Sequence, residues 1–252
     1  MKQLKFTFLF LGVLFASTIF QSCLDDDDDN TYSRRMANAL VTVKPAGETW
    51  YLQLDDSTIL SPENIKKSPY GDKEVRALTN FEYRPADAIA DNSIGRSVHI
   101  YWIDSILTKQ TAPDLGKEEN IKKYGNDPVD IIKDWVTIAE DGYLTLRFRT
   151  YWGGYQPHHI SLVAGVNPED PYEVELRHNR NGDPQLRLGD ALVAFRLQDN
   201  LPDTEGKTVK LTIRWNSYDG EKTVQFDYCS RKSIANSQQL NGYDNINSTL
   251  IK

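Results

Sequence analysis

YLTLRFRTYW, residues 143–152, sets the two sides of a strand against each other. Leu144, Leu146, Phe148 and Trp152 fall on one side, and Thr145, Arg147, Arg149 and Tyr151 on the other. That two-residue period is the mark of a half-buried β-strand. Gly153-Gly154 follows, and paired glycines supply the positive φ angles of a two-residue hairpin turn. The expectation is a hairpin whose return strand is 156–164. Downstream, apolar runs at 172–178, 191–197, 207–216 and 221–229 are separated by turn pairs such as Asn181-Gly182 and Asp219-Gly220. With a lead-in strand at 134–139, these make seven strands at the spacing of an antiparallel β-sandwich covering 134–230.

Upstream, a second group of strands occupies 39–43, 49–54, 58–60, 75–83 and 97–107. Trp50, Leu52 and Leu54 share one face. Five strands in about 70 residues is the size of a small OB-like barrel, placed at 36–110. Between the groups, residues 111–133 carry prolines, glycines and many charges. A short helix fits 117–124, stopped by Gly125 and Pro128, and the segment reads as a linker. The chain is therefore all-β, in two domains. Residues 231–252 are rich in Asn, Gln and Ser and read as a polar tail.

The N-terminus reads as an export signal. Lys2 and Lys5 precede an apolar stretch from Phe6 to Phe20. That stretch is short for a membrane-spanning helix and right for a signal peptide, 1–22. Phe20-Gln21-Ser22-Cys23 resembles a loose lipobox, which makes Cys23 the lipidated residue of the mature protein. An ordinary secretory signal is the alternative. Asp25 to Asp29 then form a run that repels itself and stays solvated, so 23–35 reads as a lipidated acidic tether. An acidic run at this place resembles the surface-export signal of some Gram-negative lipoproteins. The expected location is the outer membrane, on the cell surface, with a periplasm-facing anchor as the alternative.

The charge of the whole chain is −7. Losing 1–22 removes two lysines and no acids, so the mature chain carries −9, five of them in the tether. A body near −4 argues against nucleic acid, whose binding needs clustered Lys and Arg. Cys229 is the one cysteine left once Cys23 is lipidated, which excludes a disulfide framework. It reads as a small buried filler.

No G-x-S-x-G, H-E-x-x-H, P-loop or dinucleotide fingerprint occurs in the sequence. A binding protein is expected rather than an enzyme, without cofactor. A hydrolase built on paired carboxylates is the distant alternative. Of four histidines, His99 sits in a strand and reads as structural. His158 and His159 face His178 if 156–164 pairs with 172–178, and Asp183 follows soon after. Three or four converging ligands would be needed for a metal. The expectation is a hydrogen-bonded structural cluster with no metal. In the aromatic turn, Trp152 shares its side with Leu144, Leu146 and Phe148 and is assigned to the core, while Tyr151 and Tyr155 are candidate binding anchors.

Several stretches resemble a known family. They are LVTVKPAGETWYLQLDD at 40–56, DPVDI at 127–131 with Trp135, HHISLV at 158–163, and ELRHNRNGD at 175–183 leading to VAFRL at 193–197. With the lipobox they are similar to the NigD-like lipoproteins, over essentially the whole chain. The resemblance implies an N-terminal OB-like domain followed by a β-sandwich. The family's founding member lies in a bacteriocin operon and is regarded as an immunity protein. The implied partner is a protein, reached from a lipid anchor in the membrane. A glycan-binding accessory lipoprotein is the other reading.

Overall fold

The structure, a computed structural model, describes residues 34–85 and 95–231. The signal peptide, Cys23, the acidic run and all of the tail beyond Arg231 lie outside the described residues.

The first domain is a closed barrel of β1 (Ala39–Ala46), β2 (Thr49–Gln53), β3 (Ile59–Pro62), β4 (Val75–Tyr83) and β5 (Arg96–Ser105), in the order β1-β2-β3-β5-β4. Only β3 and β5 run parallel. Val41, Val43, Trp50, Leu52, Leu60, Ala77, Phe81, Val98 and Ile100 fill its interior. The second domain is two five-stranded sheets. One holds β6 (Leu107–Gln110), β13 (Arg187–Arg196), β10 (Tyr143–Trp152) and β8 (Asp130–Ile132) in that order, with β9 (Ile138–Glu140) also on β10. The other runs β15 (Gly220–Tyr228), β14 (Val209–Ser217), β12 (Glu173–Asn179), β11 (His159–Ala164), β7 (Ala112–Pro113). The core-facing side chains Leu144, Leu146, Phe148, Leu162, Leu176, Phe195, Leu211 and Ile213 lie between the sheets, as the alternation in 143–152 requires. The sandwich mixes directions: β6, β7 and β14 each run parallel to one neighbour.

Three details differ from the sequence reading. Residues 111–133 are not a linker but part of the sandwich: β7 pairs with β11, α1 (Lys117–Tyr124) follows, and β8 pairs with β10. Their polar composition is spent locally. Asn120 accepts from Leu115 N and donates to Asp114, and Val129 N donates to Asn216 O while its side chain enters the core. The strand expected at 97–107 breaks at buried Ile106, so the crossing between domains comes there and not at 110. Finally, β10 and β11 do not form a hairpin. They belong to different sheets, and 153–158 crosses the end of the sandwich.

The domains are joined by a buried seam in which a small apolar cluster is threaded with charged and hydroxyl side chains. The outer side of β1 (Leu40, Thr42, Lys44) and of β4 (Arg76, Leu78) packs on Tyr143, Thr145, Leu192 and Ala194 of the first sheet. Arg76 is fully buried. It donates to Thr42 Oγ1 (3.0 Å) and Thr145 Oγ1 (3.3 Å) and pairs with Glu140 (2.5 Å). Lys44 pairs with Asp141 (2.7 Å), and Arg231 bridges Asp141 and Glu74. The Tyr143 hydroxyl donates to Glu74 and accepts from Arg196; burial and the Glu74 charge push its pKa up to about 12.

Candidate functional site

One end of the sandwich collects Tyr151, Trp152, Tyr155, His158, His159, His178 and Asp183, while His99 and Cys229 lie elsewhere. The crossover 153–158 is wound around the carboxylate of Asp183, which is itself sealed from solvent. Oδ2 accepts from Gly153 N (2.5 Å) and Gly154 N (3.0 Å); Oδ1 accepts from Tyr155 N (2.9 Å) and Gln156 N (3.0 Å). Burial alone would raise this carboxyl, but the backbone donors outweigh it and hold it well below the usual carboxylate range. A Cβ on Gly153 would lie 2.6 Å from Pro184, so this close approach needs glycine.

The histidines extend the same knot. His158 Nε2 reaches Asp183 Oδ2 at 3.1 Å and His158 Nδ1 meets His178 Nε2 at 2.9 Å. His178 Nδ1 donates to Pro128 O at 3.1 Å. The register pairs Ile160 with His178, so His158 arrives from just before the strand. His159 faces solvent and takes no part. Three contacts along two rings call for three N–H protons. His178, held neutral by burial, donates to Pro128 and accepts from His158. His158 lies between the Asp183 carboxylate and the Trp152 ring, which stacks on it at 4.3 Å. The donor set is spent within the knot, and no cluster suited to a metal occurs among the described residues.

A pH dependence follows. Burial lowers the His178 pKa from its ordinary 6.5, with the His158 charge adding to it. A depressed histidine contributes stability above the unfolded value and loses it as pH falls. Asp183, also depressed, adds its loss only below about pH 4. The knot should therefore loosen as pH falls below 6.5. NMR titration should show the His178 ring protonating below 6.5, and melting temperature should fall from pH 7 to 5 more steeply in wild type than in His178→Gln. A His178 ring that titrates at or above 6.5 would contradict this.

The knot presents an exposed surface. Tyr155 is 73% exposed at its tip, and Leu186 is 65% exposed just before β13. Leu188, 47% exposed, sits directly across from Tyr151 on the outer side of the first sheet. The Tyr151 ring meets Tyr218 edge-on at 5.5 Å. Beside them Asp190 binds Arg149 (2.6 Å) and Arg147 (2.7 Å), and Arg147 also reaches Asp134. Hydrogen bonds from Arg149 and Arg147 hold the Asp190 carboxyl down to about 2. Next to Asp134, Trp135 is 54% exposed. Trp152 is half-buried against the core and donates to Gly189 O. The sequence reading missed Trp135, Leu186 and Leu188. No local period marks them, and only the pairing of Leu188 with Tyr151 shows that it takes the outer side of the sheet. Elsewhere, His99 bonds Glu63 at 3.0 Å on the barrel, and Cys229 is half-buried beside the Thr204 hydroxyl.

Comparison with known proteins bears on both domains. Residues 40–106 match the NigD-like N-terminal OB domain, and residues 111–228 match the NigD-like C-terminal β-sandwich domain. The crystal structure of a putative toxin-related protein from Parabacteroides distasonis ATCC 8503 is 34% identical, with a TM-score of 0.62 over 85% of this chain and 98% of that one. The chain belongs to the NigD-like family. A protein of unknown function from Bacteroides vulgatus ATCC 8482 is 25% identical, with a TM-score of 0.58 over 75% of this chain and 89% of that one. A NigD-like immunity protein from Bacteroides caccae ATCC 43185 shares the fold at 20% identity and a TM-score of 0.53, covering 74% and 90%. No curated protein matches. In this NigD-like chain the stretches HHISLV and ELRHNRNGD supply His158, His178 and Asp183, so part of what carries the resemblance is the knot that shapes the crossover.

Proposed function

We propose that this chain is a lipid-anchored cell-envelope protein of immunity type, which acts by binding a protein partner rather than by catalysis. The anchor is Cys23, and the acidic run holds the folded body away from the membrane, at the cell surface. The observation that carries the reading is the exposed end of the first sheet. Tyr155, Leu186 and Leu188 stand out there beside an Arg147–Asp190–Arg149 cluster, and the Asp183 knot fixes the backbone that carries Tyr155. Aromatic and arginine side chains on a preformed platform are the usual anchors of protein interfaces, and fixing them beforehand lowers the entropy lost on binding. Family membership supports the same reading.

The test is capture from envelope extracts of the native host by wild type and by a Tyr155→Ala, Leu188→Ala variant. Both side chains are exposed, so folding should be untouched. Losing central anchors costs about 2 kcal/mol or more, roughly thirtyfold in affinity. The expected result is one specific protein captured by wild type and lost from the variant. A specific glycan hit on an array, with no protein captured, would replace the partner. Equal capture by both proteins would remove this surface from the account.

A further inference from the structure

A cleft of about 510 Å³ opens where barrel and sandwich meet, between the β2–β3 turn and strands β9 and β15. That is the size of an ordinary ligand cleft, and domain junctions are where such clefts concentrate. Half-buried Ile138 and Phe226 form its apolar part. Its rim carries four acids, Asp55, Asp56, Glu140 and Asp227, and no lysine or arginine lines it among the described residues. Asp55 Oδ1 caps its own turn, accepting from Ser57 N and Thr58 N. Asp56 Oδ1 accepts from Asp141 N at 2.6 Å. These bonds aim the two carboxylates without neutralising them, and neither has an ion-pair partner among the described residues. Glu140 is met from behind by Arg76, and Asp227 by the exposed Lys210.

The walls are set before anything enters. Asp141, next to Glu140, is tied to Lys44, Arg231 and Asp56, so the turn and β9 belong to one hydrogen-bonded seam. A neutral or acidic segment entering here would cover two carboxylates that have no counter-charge, which is costly. A segment carrying guanidinium or ammonium groups would supply the missing charge, and an apolar neighbour would cover Ile138 and Phe226. We propose that this interdomain cleft receives a cationic, amphipathic peptide segment of the partner protein, with its positive groups on Asp55 and Asp56 and an apolar side chain against Phe226. This rests on the binding reading above and adds the chemistry of the partner. The cleft and the exposed sandwich end are then two contact regions for one partner.

The test uses the full mature chain and a blocked peptide of alternating arginine and leucine, six residues long, followed by titration calorimetry at low salt. The control peptide has citrulline for arginine. The arginine peptide should bind roughly tenfold tighter or more than the citrulline peptide, and Asp55→Asn, Asp56→Asn should remove that difference. Both substitutions keep the accepting Oδ1, so the turn should survive. Phe226→Ser should weaken both peptides. The five tether aspartates also attract cations, so replacing Asp25 to Asp29 with Asn provides the background. If binding disappears with the tether and is indifferent to Asp55 and Asp56, the proposal falls. It falls too if removing residues 232–252 tightens binding roughly tenfold, because the chain's own segment after Arg231 would then be the occupant. Partner capture lost on changing Tyr155 and Leu188 but unchanged in Asp55→Asn, Asp56→Asn would leave the proposed function standing and remove the cleft.

Discussion

Arg76→Ala should destabilise the folded protein by about 3–5 kcal/mol, enough to lower its melting temperature by roughly 10 °C. The guanidinium is fully buried and makes three contacts at the domain seam, to Thr42, Thr145 and Glu140. Its removal leaves Glu140 facing the seam without its cation. Burial pushes that carboxyl up and Arg76 opposes the shift, so without Arg76 the acid would be driven toward its neutral form. Arg76→Lys should recover only part of the loss, because an ammonium cannot reproduce a fork to three acceptors. Arg76→Met with Glu140→Leu should recover most of it, since an apolar pair carries no desolvation cost. Chemical denaturation of the three variants decides the matter. A loss under about 1 kcal/mol in Arg76→Ala would mean that the seam is wet and the domains are only loosely joined.

Asp183→Asn should lower the melting temperature by roughly 5–10 °C and open the crossover 153–158 to proteolysis. The carboxylate takes four successive backbone N–H groups and one imidazole N–H. An amide keeps one acceptor oxygen and puts N–H where the other now accepts, so at least two of the five contacts turn repulsive whichever way it sits. The core between the sheets does not depend on this loop, so the domain should still fold while amide exchange at Tyr155 and Gln156 accelerates. A variant that melts like wild type with the loop still protected would show that packing, not Asp183, shapes the crossover.

How far the sequence was legible depends on what buries each residue. Leu144, Leu146 and Phe148 alternate with polar residues because one side of β10 faces the sandwich core, so both the strand and the sandwich could be read directly. Leu40, Thr42 and Lys44 alternate just as plainly with Val41 and Val43, and the pattern assigns them to solvent. They are buried because the sandwich docks on that side of the barrel. Arg76 was hidden for the same reason: no local period records a second domain. Gly153-Gly154 reads as a hairpin until Asp183, thirty positions away in Gly153's own bond, is known to hold the crossover open. Residues 111–133 failed on composition, since short edge strands and helix caps use the same Pro, Gly and Asn as linkers do. The histidine pair could be anticipated from strand order, though the actual register runs Ile160 against His178.

The central claim is that the exposed end of the sandwich meets a protein partner. It is tested most directly by placing a photo-crosslinking side chain at position 155 of the full-length protein and illuminating intact cells of the native host. The account predicts a discrete adduct with one other protein, lost when Leu188 is changed to Asp. It also predicts no adduct from position 207, which precedes β14 at the opposite end of the sandwich. No adduct from 155, or the same adduct from 207, would contradict it.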